Sequence, residues 1–249
     1  MRYRIHALKN GTCKVAGHHV FHGGDPETVY EFPLIVWLLE GGEFPILVDT
    51  GLANVDEMNR GAAHVLAEPI TQRPDETMAA HLDRLGLKPE EIGAVFLTHL
   101  HFDHVDQLED YPNARIIVSK HGLAEATKFP GWVGSWAPGK TLELLTRTAK
   151  ERVLAADDAN VLPGIDVFWL GGHTPCSQAV SVHTALGEVV LAGDAVFRIE
   201  NLERRVPIGI ADSLDEARIA IDLLRSRDAI VLPSHDPSVF ERFPGGIVG

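Results

Sequence analysis

Three imidazoles and one carboxylate fall within six residues near the middle of the chain, in the run His99-x-His101-x-Asp103-His104. Imidazole and carboxylate groups are ligands that Zn, Mn, Fe and Co ions take from proteins. One catalytic metal ion needs fewer protein ligands than this, because its site keeps a position open for water. The surplus predicts two metal ions, held in part by residues elsewhere in the chain.

Three further candidate ligands stand alone in glycine- or proline-containing segments. His173 lies in Gly-Gly-His-Thr-Pro, Asp194 in Gly-Asp-Ala, and His235 in Pro-Ser-His-Asp. A carboxylate in the position of Asp194 could bridge two ions. Because a lone histidine at a strand end is more often a surface or hydrogen-bonded residue, the prediction depends on the whole set of ligands.

Short apolar strands are predicted directly before these residues and elsewhere in the chain. Asp49, the 99–104 run, His173, Asp194 and His235 each follow the carboxyl end of such a strand. Rigid strands that deliver polar side chains to one edge are a common way to build a site. The predicted strands are 34–39, 46–48, 94–97, 116–118, 165–170, 179–182, 189–192 and 230–232.

Helices are predicted between the strands. One begins at Pro74 and stops at Gly86, and another covers residues 214–224 after the capping box Ser213-x-x-Glu216. Residues 52–73 lack periodicity and predict a long loop with a helical piece. This alternation of strands and helices predicts an α/β protein with two sheets between helical layers.

Composition and charge exclude several classes of protein. The 249 residues are 45% hydrophobic and 23% charged, without repeats or linkers, which predicts one globular domain over residues 1–249. The 22 Lys and Arg against 35 Asp and Glu give a formal net charge of −13, which disfavours a nucleic-acid partner. No apolar run approaches the roughly 18 residues of a membrane span. We therefore expect no membrane partner.

The N-terminus and the cysteine content bear on location. The start of the chain lacks the apolar region of a signal peptide, and its two cysteines suit a reducing compartment. These observations predict a cytoplasmic protein that acts on a small-molecule substrate. Base rates of oligomeric state favour a homodimer.

The motifs together resemble the metallo-β-lactamase superfamily over nearly the full length. The match is carried by the HxHxDH run, Asp49-Thr-Gly51, the Gly-Gly-His-Thr-Pro and Gly-Asp-Ala segments, and the final histidine. The resemblance implies an αββα four-layer sandwich of two mixed β-sheets flanked by helices, with a dinuclear site. It implies that one ion is held by His99, His101 and His173, and the other by Asp103, His104 and His235. In the same resemblance Asp194 bridges the two ions, and Asp49 orients a ligand histidine.

Within the superfamily the chain is most similar to N-acyl homoserine lactonases and to lactonases that open a pyridine-fused ring. The similarity lies in the final histidine, the Phe32-Pro33 pair and the Ser-His-Asp end. It implies a lactonase that opens a small cyclic ester with a metal-bridged hydroxide. The expected ions are two Zn²⁺, with Mn, Co and Fe as alternatives, and the expected catalytic residues are Asp103, Asp194 and Arg198.

Two departures from the lactonase pattern bear on the substrate. Phe197 stands where those lactonases carry a tyrosine, and a phenyl ring donates no hydrogen bond. Charge on the substrate oxygen would then be stabilised by the adjacent Arg198 or by the metal ions alone. Cys176 and Ser177 replace a glycine and a histidine, so a different small ring, such as an aromatic or heterocyclic lactone, is an alternative substrate. The substrate-binding residues are expected to be Phe197, Trp132 and Trp136.

Several alternatives stay open at this point. The same site could hydrolyse thioesters, lactams or cyclic amides, or hold iron in a redox enzyme, or belong to a metal-binding or sensor domain. Cys176 is either a metal-proximal thiol or a small packed residue. The cluster His18, His19 and His22 is either a pocket wall with an extra metal or a solvated loop.

Overall fold

The computed structural model describes residues 1–128, 137–157 and 160–249. Within these ranges the strands, in chain order, are β1 (Arg4–Ala16), β2 (Val29–Glu40), β3 (Ile46–Val48), β4 (Leu66–Thr71), β5 (Ala94–Phe96), β6 (Arg115–Val118), β7 (Val153–Ala155), β8 (Ile165–Trp169), β9 (Gln178–Thr184), β10 (Gly187–Leu191), β11 (Ile230–Leu232) and β12 (Ile247–Val248). The α-helices are α1 (Gly17–Val20), α2 (Val55–Gly61), α3 (Met78–Leu85), α4 (Phe102–Val105), α5 (Lys120–Lys128), α6 (Gly139–Glu143), α7 (Ile199–Arg204), α8 (Leu214–Ser226) and α9 (Ser238–Arg242).

Two mixed sheets form the centre of the fold. The larger has the strand order β12-β1-β2-β3-β5-β6-β7, with β4 paired to β1, and the smaller has the order β11-β10-β9-β8. The pairs β3–β5, β5–β6 and β6–β7 are parallel, as is β10–β11. Parallel neighbours place their carboxyl ends at the same edge of a sheet, which is where the candidate ligands follow.

Strand β2 shows how the layers are held together. Its residues 32–39 are all buried, which is typical of a strand covered on both faces. Because side chains alternate along a strand, Val36 and Leu38 pack on one side with Met78 and Leu82 of α3. On the other side, Trp37 and its alternate neighbours pack against Val180, Val182 and Leu191 of the small sheet.

The outer face of the small sheet is covered by α8. Its Ala220, Ile221 and Leu224 pack with Ala179 of β9 and Val190 of β10. The layers are therefore helix, large sheet, small sheet and helix, and the expected αββα sandwich is confirmed.

The predicted strands are all present, with ends that differ by a few residues. The predicted helix after Pro74 is divided in two. A 3₁₀ turn, Pro74–Glu76, is followed by the extended residue Thr77, which caps α3 (Met78–Leu85), and Gly86 follows α3 in the left-handed conformation. Strands β1, β7 and β12 were not predicted, nor was β4 inside the expected 52–73 loop. Among the described residues, no helix combines the length and apolar character needed to cross a membrane.

Candidate metal centre and substrate cleft

Chemically active side chains follow the carboxyl ends of five strands from both sheets. Asp49 follows β3, His99 follows β5, His173 follows β8, Asp194 follows β10, and His235 follows β11. The short apolar strands were recognised from the sequence, and the side chains after them meet in space. The structure thus brings together all seven predicted metal ligands.

The first group of donors contains His99, His101, His173 and Asp194, whose ligand atoms all lie within 4.8 Å of one another. His101 Nδ1 lies 2.9 Å from His173 Nε2. Asp194 Oδ2 lies 3.6 Å from His99 Nε2 and 3.4 Å from His173 Nε2. The four donor atoms therefore converge on one point.

The second group contains Asp103, His104 and His235, also within 4.8 Å of one another. Asp103 Oδ2 lies 3.5 Å from His104 Nε2 and 4.0 Å from His235 Nε2. The other oxygen of Asp194, Oδ1, lies 3.3 Å from His104 Nε2 and 3.0 Å from His235 Nε2. Asp194 thus presents one carboxylate oxygen to each group, as a bridging ligand requires.

The donor set fits two divalent ions. Atoms bound tetrahedrally to one zinc ion at 2.0–2.1 Å lie about 3.3 Å apart, and the separations of 2.9–3.6 Å in the first group are close to that value. Within the described ranges, His99 Nε2, His104 Nε2 and Asp194 Oδ1 are buried without a hydrogen-bond partner. Buried polar atoms without partners are costly, and bound cations would satisfy all three.

The electrostatics of the groups also favour cations. Burial lowers the pKa of His99 and of His101 well below that of a free imidazole, which leaves their ring nitrogens able to coordinate. Burial acts in the same direction on His104, but the carboxylates of Asp194 and Asp103 outweigh it and raise the pKa of His104 well above its usual value. Burial disfavours the charge of Asp194, yet the surrounding imidazoles hold its pKa well below the usual range.

Asp49 orients one ligand histidine of each group. Its Oδ2 accepts a hydrogen bond from His104 Nδ1 at 2.7 Å and from the Thr98 hydroxyl at 2.8 Å, while its Oδ1 accepts from Thr98 N at 2.8 Å. Because the Thr98 hydroxyl proton is used on Asp49, its oxygen accepts from His99 Nδ1 at 3.2 Å. This chain of bonds places a proton on Nδ1 of each ring and aims Nε2 at the centre, where a cation could bind in place of a second proton.

The backbone is shaped for the same purpose at two points. Asp49 has a φ of 63°, a left-handed conformation that is uncommon for a residue with a side chain. Gly193 has a φ of 54°, and a Cβ there would lie 2.7 Å from Thr98 Cβ. The backbone conformation of Asp49 and the close approach of Gly193 to Thr98 hold Asp49, Thr98 and Asp194 near one another.

Two further ligand histidines, His173 and His235, are held by backbone carbonyls. His173 Nδ1 donates to Ile210 O at 2.7 Å, and His235 Nδ1 donates to Pro33 O at 2.9 Å. The turn before His173 is tied to α8, because Glu216 Oε2 accepts a hydrogen bond from Gly172 N at 3.0 Å. Each ring therefore has a fixed tautomer and orientation.

A cleft of about 580 Å³ opens over the metal ligands. We call its deepest part the floor, which consists of His101, Asp103, His173, Asp194 and His235. We call residues 53–69 the outer wall, since seven of them, all between 57 and 66, line the cleft. The remaining lining residues are mostly apolar and come from β1, β2, β4, α4, residues 137–139 and the segment after β10: Cys13, Val15, Phe32, Leu34, Ile70, Phe102, Ala137, Pro138, Gly139, Phe197 and Ile210.

Of the predicted substrate contacts, the structure brings Phe197 to the cleft and does not bring Arg198 there. The Phe197 ring is buried and meets the His173 and His235 rings edge-on, at 5.6 and 5.7 Å between centroids. The Arg198 guanidinium instead pairs with Glu200 and lies over the Tyr30 ring. The predicted contacts Trp132 and Trp136 lie outside the described residues.

The structure bears on two assignments that the sequence left open, those of Cys176 and of the cluster His18, His19 and His22. Cys176 is 1% exposed and belongs to the core beneath the large sheet, packed on Gly122, which confirms the packed interpretation. Burial raises the pKa of its thiol to about 12. Within the described ranges, His18, His19 and His22 join no group of three ligand-type side chains close enough to share an ion.

Sequence reasoning missed Thr98 and Glu216 as positioning residues. Thr98 directly precedes the metal-binding run, and a hydroxyl at that place is a readable signal for a ligand support. Glu216 was assigned only to a capping box, and Ser213 Oγ does accept from Glu216 N at 3.3 Å. Its carboxylate, however, binds Gly172, a contact that no local pattern indicates.

Comparison with known proteins agrees with this geometry. The sequence model of the Metallo-beta-lactamase superfamily matches residues 33–235. An N-acyl homoserine lactonase from Bacillus sp is 27% identical over 241 residues, which cover 94% of this chain and 93% of the relative.

Solved structures share the fold. One is an N-acyl homoserine lactone hydrolase with the product N-hexanoyl-L-homoserine bound at its catalytic metal centre. It matches with a TM-score of 0.81 and 24% identity over 98% of this chain and 99% of that chain. The dizinc quorum-quenching lactonase AidC matches with a TM-score of 0.69 and 17% identity over 98% of this chain and 89% of its own.

Proposed function

The chain belongs to the metallo-beta-lactamase superfamily, and we propose that it is a metal-dependent lactonase that opens the ring of a neutral cyclic ester. One observation carries this proposal: Asp194 joins two groups of buried metal donors at the bottom of an apolar cleft. The relatives named as N-acyl homoserine lactonases support the choice of a cyclic ester over other bonds.

Two divalent ions are the cofactors of this proposal, and zinc is the proposed metal. One ion would be held by His99, His101 and His173, the other by Asp103, His104 and His235, with Asp194 shared between them. Bound there, the ions would supply a Lewis acid for the carbonyl and lower the pKa of water towards neutrality. Zinc is supported by the dizinc neighbour AidC and by the His/Asp donor set.

Asp103 is the residue that moves the proton. Both carboxylates line the cleft, but the side chain of Asp103 is 12% exposed, whereas that of Asp194 is 6% exposed and presents one oxygen to each donor group. In the hydrolysis, the oxygen of water bonds to the carbonyl carbon and the ring C–O bond breaks. Asp103 accepts the proton of the attacking water and delivers it to the leaving alkoxide oxygen, which gives a hydroxy acid.

The walls of the cleft support a neutral substrate with an apolar substituent. The described lining residues include no Lys or Arg that could pair with an anionic substrate, and most are apolar. Phe197 offers no hydrogen-bond donor, so it shapes the cavity and excludes water. A lactone with an N-acyl chain, like the one whose hexanoyl product occupies a solved neighbour, suits these walls.

The test is proton release in weak buffer, with zinc-loaded protein and a panel of lactones, lactams and thioesters. Opening of an ester liberates acid at neutral pH, so the assay needs no chromophore. We expect turnover of N-acyl homoserine lactones that His101→Ala abolishes. His183→Ala, which changes an exposed histidine on β9, is the matched control and should retain full activity.

Other outcomes of this panel lead to different conclusions. Activity confined to thioesters or lactams would support the hydrolytic centre and contradict the proposed cyclic-ester substrate. An absence of hydrolysis together with bound iron and oxygen consumption contradicts the lactonase proposal altogether. Zinc content by elemental analysis and native mass by light scattering test the proposed metal and the predicted homodimer.

A further inference from the structure

Asp106 is a buried carboxylate two residues beyond the metal-binding run. Its side chain is 1% exposed, and it lies at the end of α4. Its Oδ2 accepts hydrogen bonds from two successive backbone groups, Ala53 N at 2.8 Å and Asn54 N at 2.7 Å. A buried carboxylate that binds the backbone of another segment fixes the position of that segment.

Lys140 of α6 supplies the cation for this carboxylate. Its Nζ lies 2.8 Å from Asp106 Oδ1 and donates to the backbone oxygen of Asp106 at 2.7 Å. The side chain of Lys140 is 43% exposed, so the ammonium reaches from the surface towards a fully buried partner. Removing one partner of a buried charge pair leaves the other uncompensated.

The segments that meet at Asp106 form different parts of the cleft. Asn54 caps α2, because its side chain accepts from Glu57 N at 3.3 Å, and α2 begins the outer wall. Lys140 follows residues 137–139 directly, and all three line the cleft. Asp106 itself continues α4, which carries Asp103 of the floor.

We propose that Asp106 and Lys140 form a positioning pair that sets the spacing between the outer wall, residues 137–139 and the floor. Through this spacing the pair sets the affinity for substrates that extend along the walls. None of residues 53–69 is buried, so the start of the outer wall depends on this anchor, whereas its end is held by the pairing of β4 with β1. The part of this inference that concerns affinity rests on the proposed lactonase function.

A matched pair of lysine variants separates this role from a general loss of charge. Lys140→Met removes the ammonium from the buried carboxylate. Lys14→Met is the control within the same wall: Lys14 is 44% exposed and lies 2.8 Å from Glu68 of the outer wall, but Glu68 is 58% exposed. Exposed pairs contribute little, so Lys14→Met should have no effect.

Two measurements are made on each zinc-loaded variant. The first is hydrogen–deuterium exchange, in which Lys140→Met should accelerate exchange in residues 53–62 and 137–143. The second is the ratio of KM values for N-hexanoyl homoserine lactone and γ-butyrolactone. Lys140→Met should raise this ratio about tenfold, with kcat on γ-butyrolactone and metal content unchanged, because a displaced wall weakens only the contacts of the long substrate.

Coupling between the two residues is tested with Asp106→Asn. In that background the further change Lys140→Met should alter exchange and the KM ratio less than twofold, since the buried charge that Lys140 compensates is already gone. Lys140→Arg keeps the charge and should retain most of the parent behaviour.

The outcomes distinguish the pair from the proposed function. Unchanged exchange in Lys140→Met overturns the positioning role. Accelerated exchange with an unchanged KM ratio shows a structural tie only and overturns the claim about affinity. If the parent protein opens no lactone, the proposed function fails, while the exchange comparison between Lys140→Met and Lys14→Met still decides whether the pair holds the walls.

Discussion

The floor and the outer wall of the cleft are built in different ways. At the floor, His173 and His235 are buried, and each ring donates its second nitrogen to a backbone carbonyl. In the outer wall, no residue between 53 and 69 is buried. Such lightly packed segments open at low free-energy cost. Thus the part that places the reacting groups is rigid, whereas the part that contacts the rest of the substrate depends on a few anchors.

The largest expected effect is at the bridging carboxylate. Asp194→Asn replaces one carboxylate oxygen with an amide group that cannot coordinate, so the two donor groups no longer share a ligand. We expect kcat/KM to fall by about a thousandfold, or ~4 kcal/mol of transition-state stabilisation, with the loss of at least one ion. Elemental analysis and proton-release kinetics check both parts, and full activity with two ions bound contradicts the bridging role.

The support behind the floor should have the next largest effect. Asp49→Asn leaves one acceptor oxygen where two now bind Thr98 and His104. Loss of such an outer partner typically costs 10–100-fold in metal affinity or activity. Asp215→Asn, whose carboxylate is 90% exposed, serves as the control. Metal titration in competition with a chelator measures the affinity, and equal affinities in parent and Asp49→Asn would remove Asp49 from this role.

A substitution in the outer wall should have a smaller effect, and this effect should be on KM rather than on metal binding. Met58 is partly buried and lines the cleft. Met58→Ala should raise KM for N-hexanoyl homoserine lactone about fivefold, because the lost contacts of a partly buried side chain contribute roughly 1 kcal/mol. The value of kcat and the metal content should stay the same. An equal fall of kcat on γ-butyrolactone would show that the wall also positions the floor.

The smallest effect on activity is expected outside both regions, at Glu188 of β10, where a substitution should change only the free energy of unfolding. Burial opposes its charge, but hydrogen bonds from Ser181 and Arg227 outweigh this and lower the pKa of Glu188. A lowered pKa in the folded state stabilises the protein above the pKa of the unfolded state, and this stability is lost as pH falls through the folded pKa. Glu188→Gln should therefore cost about 1 kcal/mol at neutral pH and progressively less under acid.

Urea unfolding at several pH values checks this expectation, with lactonase activity followed in parallel. Activity of Glu188→Gln should equal that of the parent, since Glu188 touches neither the floor nor the outer wall. A stability difference that persists unchanged at low pH would assign the effect to packing rather than to charge.

Local sequence patterns were sufficient for most of the central strands. Short apolar runs such as Ile46–Val48 and Ile230–Leu232 have sharp polar boundaries, and the structure places strands over the same residues. The first strand was missed because its pairing shifts between Lys9 and Gly11, which breaks the alternation of apolar and polar residues. Strand β4 was missed because it contains Pro69 and pairs only with β1 at the edge of the sheet.

The seven candidate ligands and Asp49 could be recognised in the sequence for two reasons. Metal chemistry restricts the residue types of ligands and their supports, and a short apolar run that predicts a strand precedes most of these residues. The orientation of Arg198 was not readable, since it depends on Glu200 and the distant ring of Tyr30. Nor was the partner of Asp106, because Lys140 lies 34 positions away and reaches it only in the folded chain. Residue types are local properties of a sequence, whereas the partner of a charged side chain is decided by packing between segments far apart in it.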